Sequence, residues 1–207
     1  MLFRSNGVFN GGSTVVGGDG SAVTNNGDGS GTYDNSRTGE AIANNGDGSG
    51  TYRNGEVTIT NNGDGSGTYR DSKTTIAVNG DGSGTYRDDV ISVAINGDGS
   101  GTYNNSQTGE SIANNGDGSG TYRDNEITIA NNGDGSGNYT NSRTGLYIRN
   151  DGRGEAYIKI NDGDLRTVEA DPLPPVKPLG NFPSLDAIQP IESCGTVITL
   201  EDGLLFD

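Results

Sequence analysis

The sequence predicts an all-β protein, organised as an elongated array of short repeats with two strands in each 17–19-residue repeat. Three observations support this fold class. The motif NGDGSGTY recurs along the chain at nearly constant spacing. Apolar and polar residues alternate between its copies, which is the pattern of β-strands. Only 29% of the residues are hydrophobic and 37 of 207 are glycine, so the chain lacks the apolar material for a large compact core.

The repeats are counted from the aspartate of the motif, and a decayed copy, NDGRGEAY, follows the last full copy at Asp151. The intervals between successive aspartates are 19, 17, 17, 17, 19, 17 and 17 residues. A period this short and regular is typical of stacked supersecondary units rather than of one domain per repeat. The full copies place their aspartates at Asp28, Asp47, Asp64, Asp81, Asp98, Asp117 and Asp134.

Two turns in each repeat predict an antiparallel meander. Asn54-Gly55 fits a two-residue type I′ turn, in which both positions have positive φ, and this turn sets Tyr52 opposite Val57. The GDG triplet at 63–65 fits a three-residue loop, because glycine adopts the left-handed conformation easily.

The lengths of the repeats agree with this arrangement. The three-residue loop places Ile59 opposite Tyr69, and the 19-residue repeats accept their two additional residues in four-residue loops at 35–38 and 105–108. The competing prediction is a β-solenoid, in which each repeat forms one coil and equivalent side chains stack at about 4.8 Å. Aspartates stacked at that spacing repel one another, so the antiparallel β-meander is favoured.

Composition divides the chain into four segments. We expect an N-terminal capping segment at 1–23, the repeat array at 24–160, a proline-rich linker at 161–180 and a C-terminal strand segment at 181–207. The stretch PLPPVKPLG gives the linker an extended and semi-rigid character. The lone Cys194 allows no internal disulfide.

Charge and residue content exclude several classes of function. The net charge of −15 repels nucleic acid and anionic membrane surfaces, and no apolar stretch is long enough for membrane insertion. Histidine is absent, Cys194 has no partner for nucleophilic catalysis, and the carboxylates recur along the chain instead of converging on one pocket. The sequence therefore predicts a protein that is not an enzyme.

The motif has the oxygen-ligand spacing of the first half of an EF-hand loop, as in Asn26, Asp28 and Ser30 with Gly31 at the sharp-turn position. The twelfth position holds Arg37 instead of the bidentate glutamate, which excludes a high-affinity site. Weak calcium binding between adjacent loops is one interpretation, and simple turn formation by glycine with a capping aspartate is the other. The remaining calcium candidates are the equivalent Asp47, Asp64, Asp81, Asp98, Asp117 and Asp134.

Two columns of side chains recur on the predicted sheet. The tyrosines pair with isoleucine and valine and are expected to form its apolar face, although stacking on sugars or bases is an alternative. The threonines form a regular column on the opposite face, which is compatible with ice binding and equally with ordinary β-propensity. These threonines are Thr32, Thr51, Thr68, Thr85, Thr102 and Thr121.

An open β-array leaves unpaired edge strands, and these predict a homo-oligomer or filament. The N-terminal run that contains Val15 and Val16 has neither proline nor lysine to block pairing. A further predicted strand behind the linker contains Val197, Ile198 and Leu200. We expect this strand to add to the first strands of the next subunit.

The C-terminal residues 198–200 (ITL) and 205–207 (LFD), preceded by the proline-rich stretch, resemble the start of a bacterial OmpA-like C-terminal domain. That resemblance implies a cell-envelope protein whose domain anchors to peptidoglycan. The chain ends before the family's peptidoglycan-binding aspartate and arginine, so no site residue is carried over. Residues 48–56 (GSGTYRNGE) also resemble MORN repeats, which are arrays of β-hairpins with a longer period.

Near-identical acidic repeats predict a non-enzymatic structural or surface-presenting protein, an extracellular or cell-envelope spacer or fibre subunit that self-associates. Two alternatives remain open at this point. One is a calcium-dependent adhesin or carbohydrate-binding module, and the other is an ice-binding protein.

Overall fold

The computed structural model describes residues 12–175, which form 18 β-strands in one open sheet. Each strand pairs in antiparallel fashion with the next strand along the chain. The prediction of an all-β antiparallel meander is therefore confirmed, and the solenoid alternative is wrong for the described residues.

The strand bounds are β1 Ser13–Val16, β2 Ser21–Asn25, β3 Gly31–Asn35, β4 Glu40–Asn44, β5 Gly50–Arg53, β6 Thr58–Asn61, β7 Ser66–Arg70, β8 Thr75–Asn79, β9 Gly84–Arg87, β10 Ile91–Ile95, β11 Gly101–Asn105, β12 Glu110–Asn114, β13 Ser119–Arg123, β14 Ile127–Asn132, β15 Ser136–Asn141, β16 Leu146–Asp151, β17 Glu155–Ile160 and β18 Arg166–Glu169. The last strand, β18, lies inside the segment expected to be linker. The predicted strand segment at 181–207 lies outside the described residues.

The sheet has a single layer. Substantial contacts between strands within 12–175 join consecutive strands only, so no second sheet or helix covers either face there. The buried hydrophobic residues in this range are few, and they are Val78, Val93, Ile95, Tyr103 and Ala156. Stability in such a sheet comes mainly from neighbouring strands, because each strand has hydrogen-bond and side-chain partners only on its two sides.

One face of the sheet, which we call the tyrosine face, carries a continuous apolar column. Directly opposed residues on adjacent strands lie on the same face, and here tyrosine alternates with isoleucine or valine. Each such aromatic and β-branched pair contributes about 0.2–1 kcal/mol. The column consists of Val23, Tyr33, Ile42, Tyr52, Ile59, Tyr69, Ile76, Tyr86, Val93, Tyr103, Ile112, Tyr122, Ile129, Tyr139 and Ile148.

The opposite face, which we call the threonine face, carries small side chains. Its central column alternates threonine mostly with alanine, as in the pairs of Thr85 with Ala77 and Ala94. Arg53, Arg70 and Arg87 lie on the same face, two residues further along their strands. The six predicted threonines are all exposed, so this face is a solvated surface with a row of arginines beside it.

The GDG loops form as predicted. Asn62 N–H donates to Ser66 O at 3.0 Å, which leaves residues 63–65 as a three-residue loop. Gly63 and Gly65 both have φ of 82°. Ile59 lies opposite Tyr69, as this loop requires.

The predicted type I′ turn at Asn54-Gly55 is wrong. Asn54 N–H donates to Val57 O at 2.9 Å, and Tyr52 lies opposite Ile59 instead of Val57. Gly55 does not have a positive φ. The reason is the asparagine side chain, whose Oδ1 accepts from Glu56 N–H and Val57 N–H and so fixes an Asx turn. The register moves by two residues, which leaves every side chain on its predicted face.

The four-residue loops begin one residue later than predicted. In the first, the loop is 36–39, Gly39 N–H donates to Asn35 O at 2.8 Å, and Gly39 has φ of 72°. A loop of this kind also occurs at 142–145. It shifts the last copy of the motif by two residues, so Arg153 occupies the position of the loop aspartate and Asp151 occupies that of Asn132.

Candidate functional site

The GDG loops stack into a continuous ridge along one edge of the sheet, which we call the GDG edge. The first glycine of each loop packs on the aspartate carbonyl of the preceding loop. A Cβ on Gly63 would lie 3.2 Å from Asp47 O and 3.1 Å from Ser49 N. Positive φ and this close approach both require glycine. The edge comprises loops 27–29, 46–48, 63–65, 80–82, 97–99, 116–118 and 133–135.

The aspartates of this edge hold their own loops together. Asp64 Oδ1 accepts from Ser66 N–H at 2.9 Å and from the Ser66 hydroxyl at 2.6 Å. The hydroxyl bond, followed by the N–H bond, lowers the pKa of Asp64 below its usual value. The same directions and causes hold for the pKa of Asp28, Asp47, Asp81, Asp98, Asp117 and Asp134.

The predicted calcium ligands are therefore distributed over separate loops. Within the first loop, Asn26 Nδ2 donates to Ser30 Oγ at 2.8 Å, and Asp28 Oδ1 accepts from the same hydroxyl at 2.6 Å. Among residues 12–175, no group of three or more aspartate, glutamate, histidine or cysteine side chains converges to hold a metal ion. Calcium binding by this edge stays a prediction.

Beside the GDG edge, the tyrosine face carries a second column made of asparagine and glycine. An asparagine two residues before the first glycine of a loop caps that glycine, as where Asn131 Oδ1 accepts from Gly133 N–H at 2.9 Å. The cap uses the side-chain oxygen, so the side-chain nitrogen takes no part in it. The asparagine positions are Asn25, Asn44, Asn61, Asn114, Asn131 and Asn150, with Val78 and Ile95 in the two central repeats.

Residues 170–175, directly after β18, fold back and cross this column. Asn150 Nδ2 donates to Asp171 O at 2.7 Å, and Asn131 Nδ2 donates to Pro174 O at 2.6 Å. The segment thus runs over the strands in the direction of decreasing strand number. The proline content predicts a linker here and gives no indication of this contact.

The backbone of the segment is bound through its N–H groups as well. Ala170 N–H donates to Gly154 O at 3.0 Å, and Leu173 N–H donates to Gly135 O at 2.8 Å. Gly135 and Gly154 occupy equivalent positions in successive loops. Loops 133–135 and 152–154 therefore each accept one N–H bond from the segment.

Glycine makes room for the side chains of the segment. A Cβ on Gly135 would lie 2.8 Å from Pro172 Cβ, and one on Gly118 would lie 3.0 Å from Pro175 Cβ. On β15, a Cβ on Gly137 would lie 2.7 Å from Leu173 Cδ1. Any larger residue at these positions would displace the proline-rich segment.

The residues predicted to self-associate fall into two groups. Val15 and Val16 lie on β1 at the end of the described sheet and are 51% and 75% exposed. Val197, Ile198 and Leu200, together with the OmpA-like residues, lie outside the described residues. At the other end, β18 leaves Val168 exposed.

On the side of the sheet opposite the GDG edge, tyrosine hydroxyls bind the turn residues. The Tyr86 hydroxyl donates to Asp88 Oδ2 at 2.7 Å, and this bond together with burial raises the pKa of Tyr86 to about 12. Where the turn residue is asparagine, the direction reverses, and Asn54 Nδ2 donates to the Tyr52 hydroxyl at 3.1 Å. The tyrosines are thus held in place within the sheet.

Across residues 12–175 the structure has no helix with the length and hydrophobicity needed to span a bilayer. No family model matches the sequence, and no curated protein matches it.

Solved structures of one domain resemble the fold. The TCP10 domain of Danio rerio CPAP in complex with a peptide of Danio rerio STIL has 15% sequence identity and a TM-score of 0.48, over 78% of this chain and 96% of that chain. A second structure of the wild-type TCP10 domain of Danio rerio CPAP has 16% identity and a TM-score of 0.42, over 77% and 90% of the two chains. A point mutant of the same domain has 16% identity and a TM-score of 0.41 over the same shares. At TM-scores below 0.5, the likeness is too slight to carry over what those proteins bind.

Proposed function

We propose that this chain is a non-enzymatic structural spacer that presents a repeated surface. The observation that supports this proposal is the single-layer meander, in which each repeat adds two strands beside the previous two. At a strand spacing of about 4.8 Å, 18 strands extend over roughly 80 Å in the hydrogen-bonding direction. Electron microscopy of the purified chain tests this directly, with rods of about that length expected and compact particles contradicting it.

Repetition also gives the spacer many copies of the same surface. Equivalent side chains recur on both faces once in every two strands, at about 9.6 Å. A partner with several copies of a weak epitope gains avidity from such a surface without any single strong pocket. The absence of histidine and the one-per-loop distribution of the aspartates support a role in presentation rather than in catalysis.

Self-association of this spacer into filaments is part of the proposal. Within residues 12–175, β1 pairs only with β2, and it has exposed Val15 and Val16 and no charged residue. Such an edge pairs readily with another strand, and a head-to-tail contact between the two ends of the sheet does not close on itself.

The edge is tested in the full-length chain by Val16→Lys, because lysine on an edge strand opposes pairing. Thr32→Lys, on an exposed position of β3 inside the sheet and opposite the uncharged Thr24 and Ala43, is the matched control for the added charge. Sedimentation should show assembly of the native chain and of Thr32→Lys, and loss of assembly for Val16→Lys. A native chain that is monomeric at high concentration would contradict the filament.

We place the spacer outside the cell or in the cell envelope. This location is supported by the net charge of −15, which keeps an extended sheet soluble, and by the OmpA-like residues at 198–207. Protease treatment of intact cells that produce the protein tests it, with loss of the full-length chain expected.

A further inference from the structure

The contacts of residues 170–175 repeat every three residues. The N–H donors are Ala170 and Leu173, and their acceptors are equivalent glycines in successive loops. The carbonyl acceptors are Asp171 and Pro174, and their donors are successive asparagines of the column. The rings of Pro172 and Pro175 lie on successive loop glycines. Three independent sets of contacts therefore advance by three segment residues for each repeat of the sheet.

A period of three identifies the conformation that the column selects. A β-strand has a side-chain period of two, whereas a polyproline II helix has three residues per turn. Three residues of polyproline II rise by about 9.3 Å. Two strands of the sheet span about 9.6 Å. The two repeats match within a fraction of an ångström, so the segment keeps its register from one repeat to the next.

The sequence of the segment has the same period. PLPPVKPLG is three copies of proline, an apolar residue and a third residue, with prolines at Pro172, Pro175 and Pro178. Apolar Leu173, Val176 and Leu179 follow these prolines. The apolar position is the one whose N–H is bound in the structure, and proline, which has no N–H, is absent from it.

We propose that the asparagine and glycine column beside the GDG edge is a binding track for a polyproline II segment, and that its occupant is the chain's own segment 170–180. Extended beyond Pro175, the three-residue register assigns Gly118 O to the Val176 N–H, Asn114 Nδ2 to the Lys177 carbonyl and Gly99, the next loop glycine, to Pro178.

Burial along the column continues beyond Pro175, and it also includes Val78 and Gly84, past the position that the register assigns to residue 180. Asn114, the column residue that the register assigns to the Lys177 carbonyl, is 3% exposed, and Gly99 and Gly120 are buried. Asn25 and Asn44, at the far end of the column, are exposed.

The column also explains where the hydrogen bonds from asparagine side chains to the segment end. The next two asparagine positions hold Ile95 and Val78, which donate no side-chain hydrogen bond. The periodic sequence ends at Gly180. In the three-residue register, the carbonyl of Gly180 corresponds to the column position that Ile95 occupies.

Asparagine to aspartate substitutions in the full chain test the track selectively. Aspartate keeps the oxygen that caps the loop glycine, and it replaces the nitrogen that donates to the segment with a charged oxygen that cannot donate. Asn131→Asp and Asn150→Asp probe the contacts that are seen, and Asn114→Asp probes the inferred one. Asn44→Asp, which makes the same loop cap at 2.9 Å, is the matched control outside the reach of the segment.

The readout is hydrogen exchange of individual backbone amides by NMR. In the native chain, the N–H groups of Leu173, Val176 and Leu179 should be protected. Loss of one hydrogen bond should lower that protection by about 2- to 10-fold in the three track variants. Asn44→Asp should leave it unchanged.

Three outcomes would overturn the proposal. A Val176 N–H that exchanges as fast as in an unfolded peptide would remove residues 176–180 from the track. An equal loss of protection in Asn44→Asp would show that the effect is not local. Protection that rises with protein concentration, together with a doubled mass, would assign the segment to the track of a second copy.

Discussion

Asp88 Oδ2 accepts the Tyr86 hydroxyl at 2.7 Å, while Oδ1 of the same carboxylate accepts from Val90 N–H and Ile91 N–H. One side chain thus joins the apolar column of the tyrosine face to the turn at the end of the strand. The same pair, tyrosine and an Asx residue two positions later, recurs in the other repeats as Tyr69 with Asp71 and Tyr122 with Asp124.

Removal of the Asp88 carboxylate should release both the Tyr86 hydroxyl and the N–H groups of the turn. We expect Asp88→Ala to lower the pKa of Tyr86 from about 12 towards the usual value of 10.0, and to lower the melting temperature. Asp88→Asn should keep the turn, because asparagine fills this position in other repeats. Ultraviolet titration of the phenolate in the two variants checks this. Equal melting temperatures for Asp88→Ala and Asp88→Asn would contradict the role of the turn.

Acid should destabilise the sheet through the loop aspartates. The hydroxyl and N–H groups of Ser66 lower the pKa of Asp64 below its usual 3.8 in the folded chain. A group with a lowered folded pKa contributes stability that is complete above its unfolded pKa and is lost as the pH falls through the folded value. We therefore expect the melting temperature to fall below about pH 4.

High salt separates this effect from charge repulsion, because salt screens repulsion between exposed charges far more than local hydrogen bonds. The acid loss should persist in high salt, and it should be smaller in Asp64→Asn. Full recovery of the melting temperature in salt would indicate repulsion instead.

Two glycine substitutions should differ strongly. Gly63→Ala places a Cβ at φ of 82° and 3.2 Å from Asp47 O, so it should cost at least about 1–2 kcal/mol of unfolding free energy. Gly55→Ala has ordinary φ and nothing within 4 Å of the new Cβ, and it should be nearly neutral. Chemical denaturation measures both. A neutral Gly63→Ala would contradict the stacking of the GDG loops.

Calcium should act weakly on the GDG edge, if it binds there. One carboxylate oxygen, Oδ1 in Asp64, already accepts two hydrogen bonds within its own loop, and no three acidic side chains converge among residues 12–175. We expect a rise in melting temperature only at about 10⁻⁴–10⁻³ M calcium or above. A rise at micromolar calcium would require a site of another kind, and an unchanged melting curve at several millimolar would reject the calcium-dependent alternative.

The sequence predicts the sheet well because each repeat contains all the information for its own two turns. The glycine spacing determines the GDG loop, and the alternation of Ile59 with its polar neighbours determines the faces. The Asn54-Gly55 pair was misleading, since a favourable turn dipeptide competes with an Asx turn one residue later. Asp71, Asp88 and Asp124 at the equivalent position, none followed by glycine, were the signal for the Asx turn.

The binding track could not be predicted from the repeats alone. Proline content indicates that residues 172–180 are extended, but says nothing about the surface on which they pack. The signal in the sequence is the three-residue period of that segment. Its length of about 9.3 Å matches one repeat of the sheet only because each repeat contains two strands. The role of Asn131 and Asn150 in the track is also hidden in the sequence, because the same side chain caps a loop and binds the segment.

Residues 12–175 form a single-layer sheet whose length increases with the number of repeats. Deletion of residues 64–80 removes one complete repeat and joins Gly63 to Asp81 within an intact GDG loop. Small-angle X-ray scattering should show a maximum dimension shorter by about 10 Å, since two strands at about 4.8 Å are lost. The shortened chain should still melt cooperatively. An unchanged maximum dimension, or global unfolding on deletion, would contradict the account.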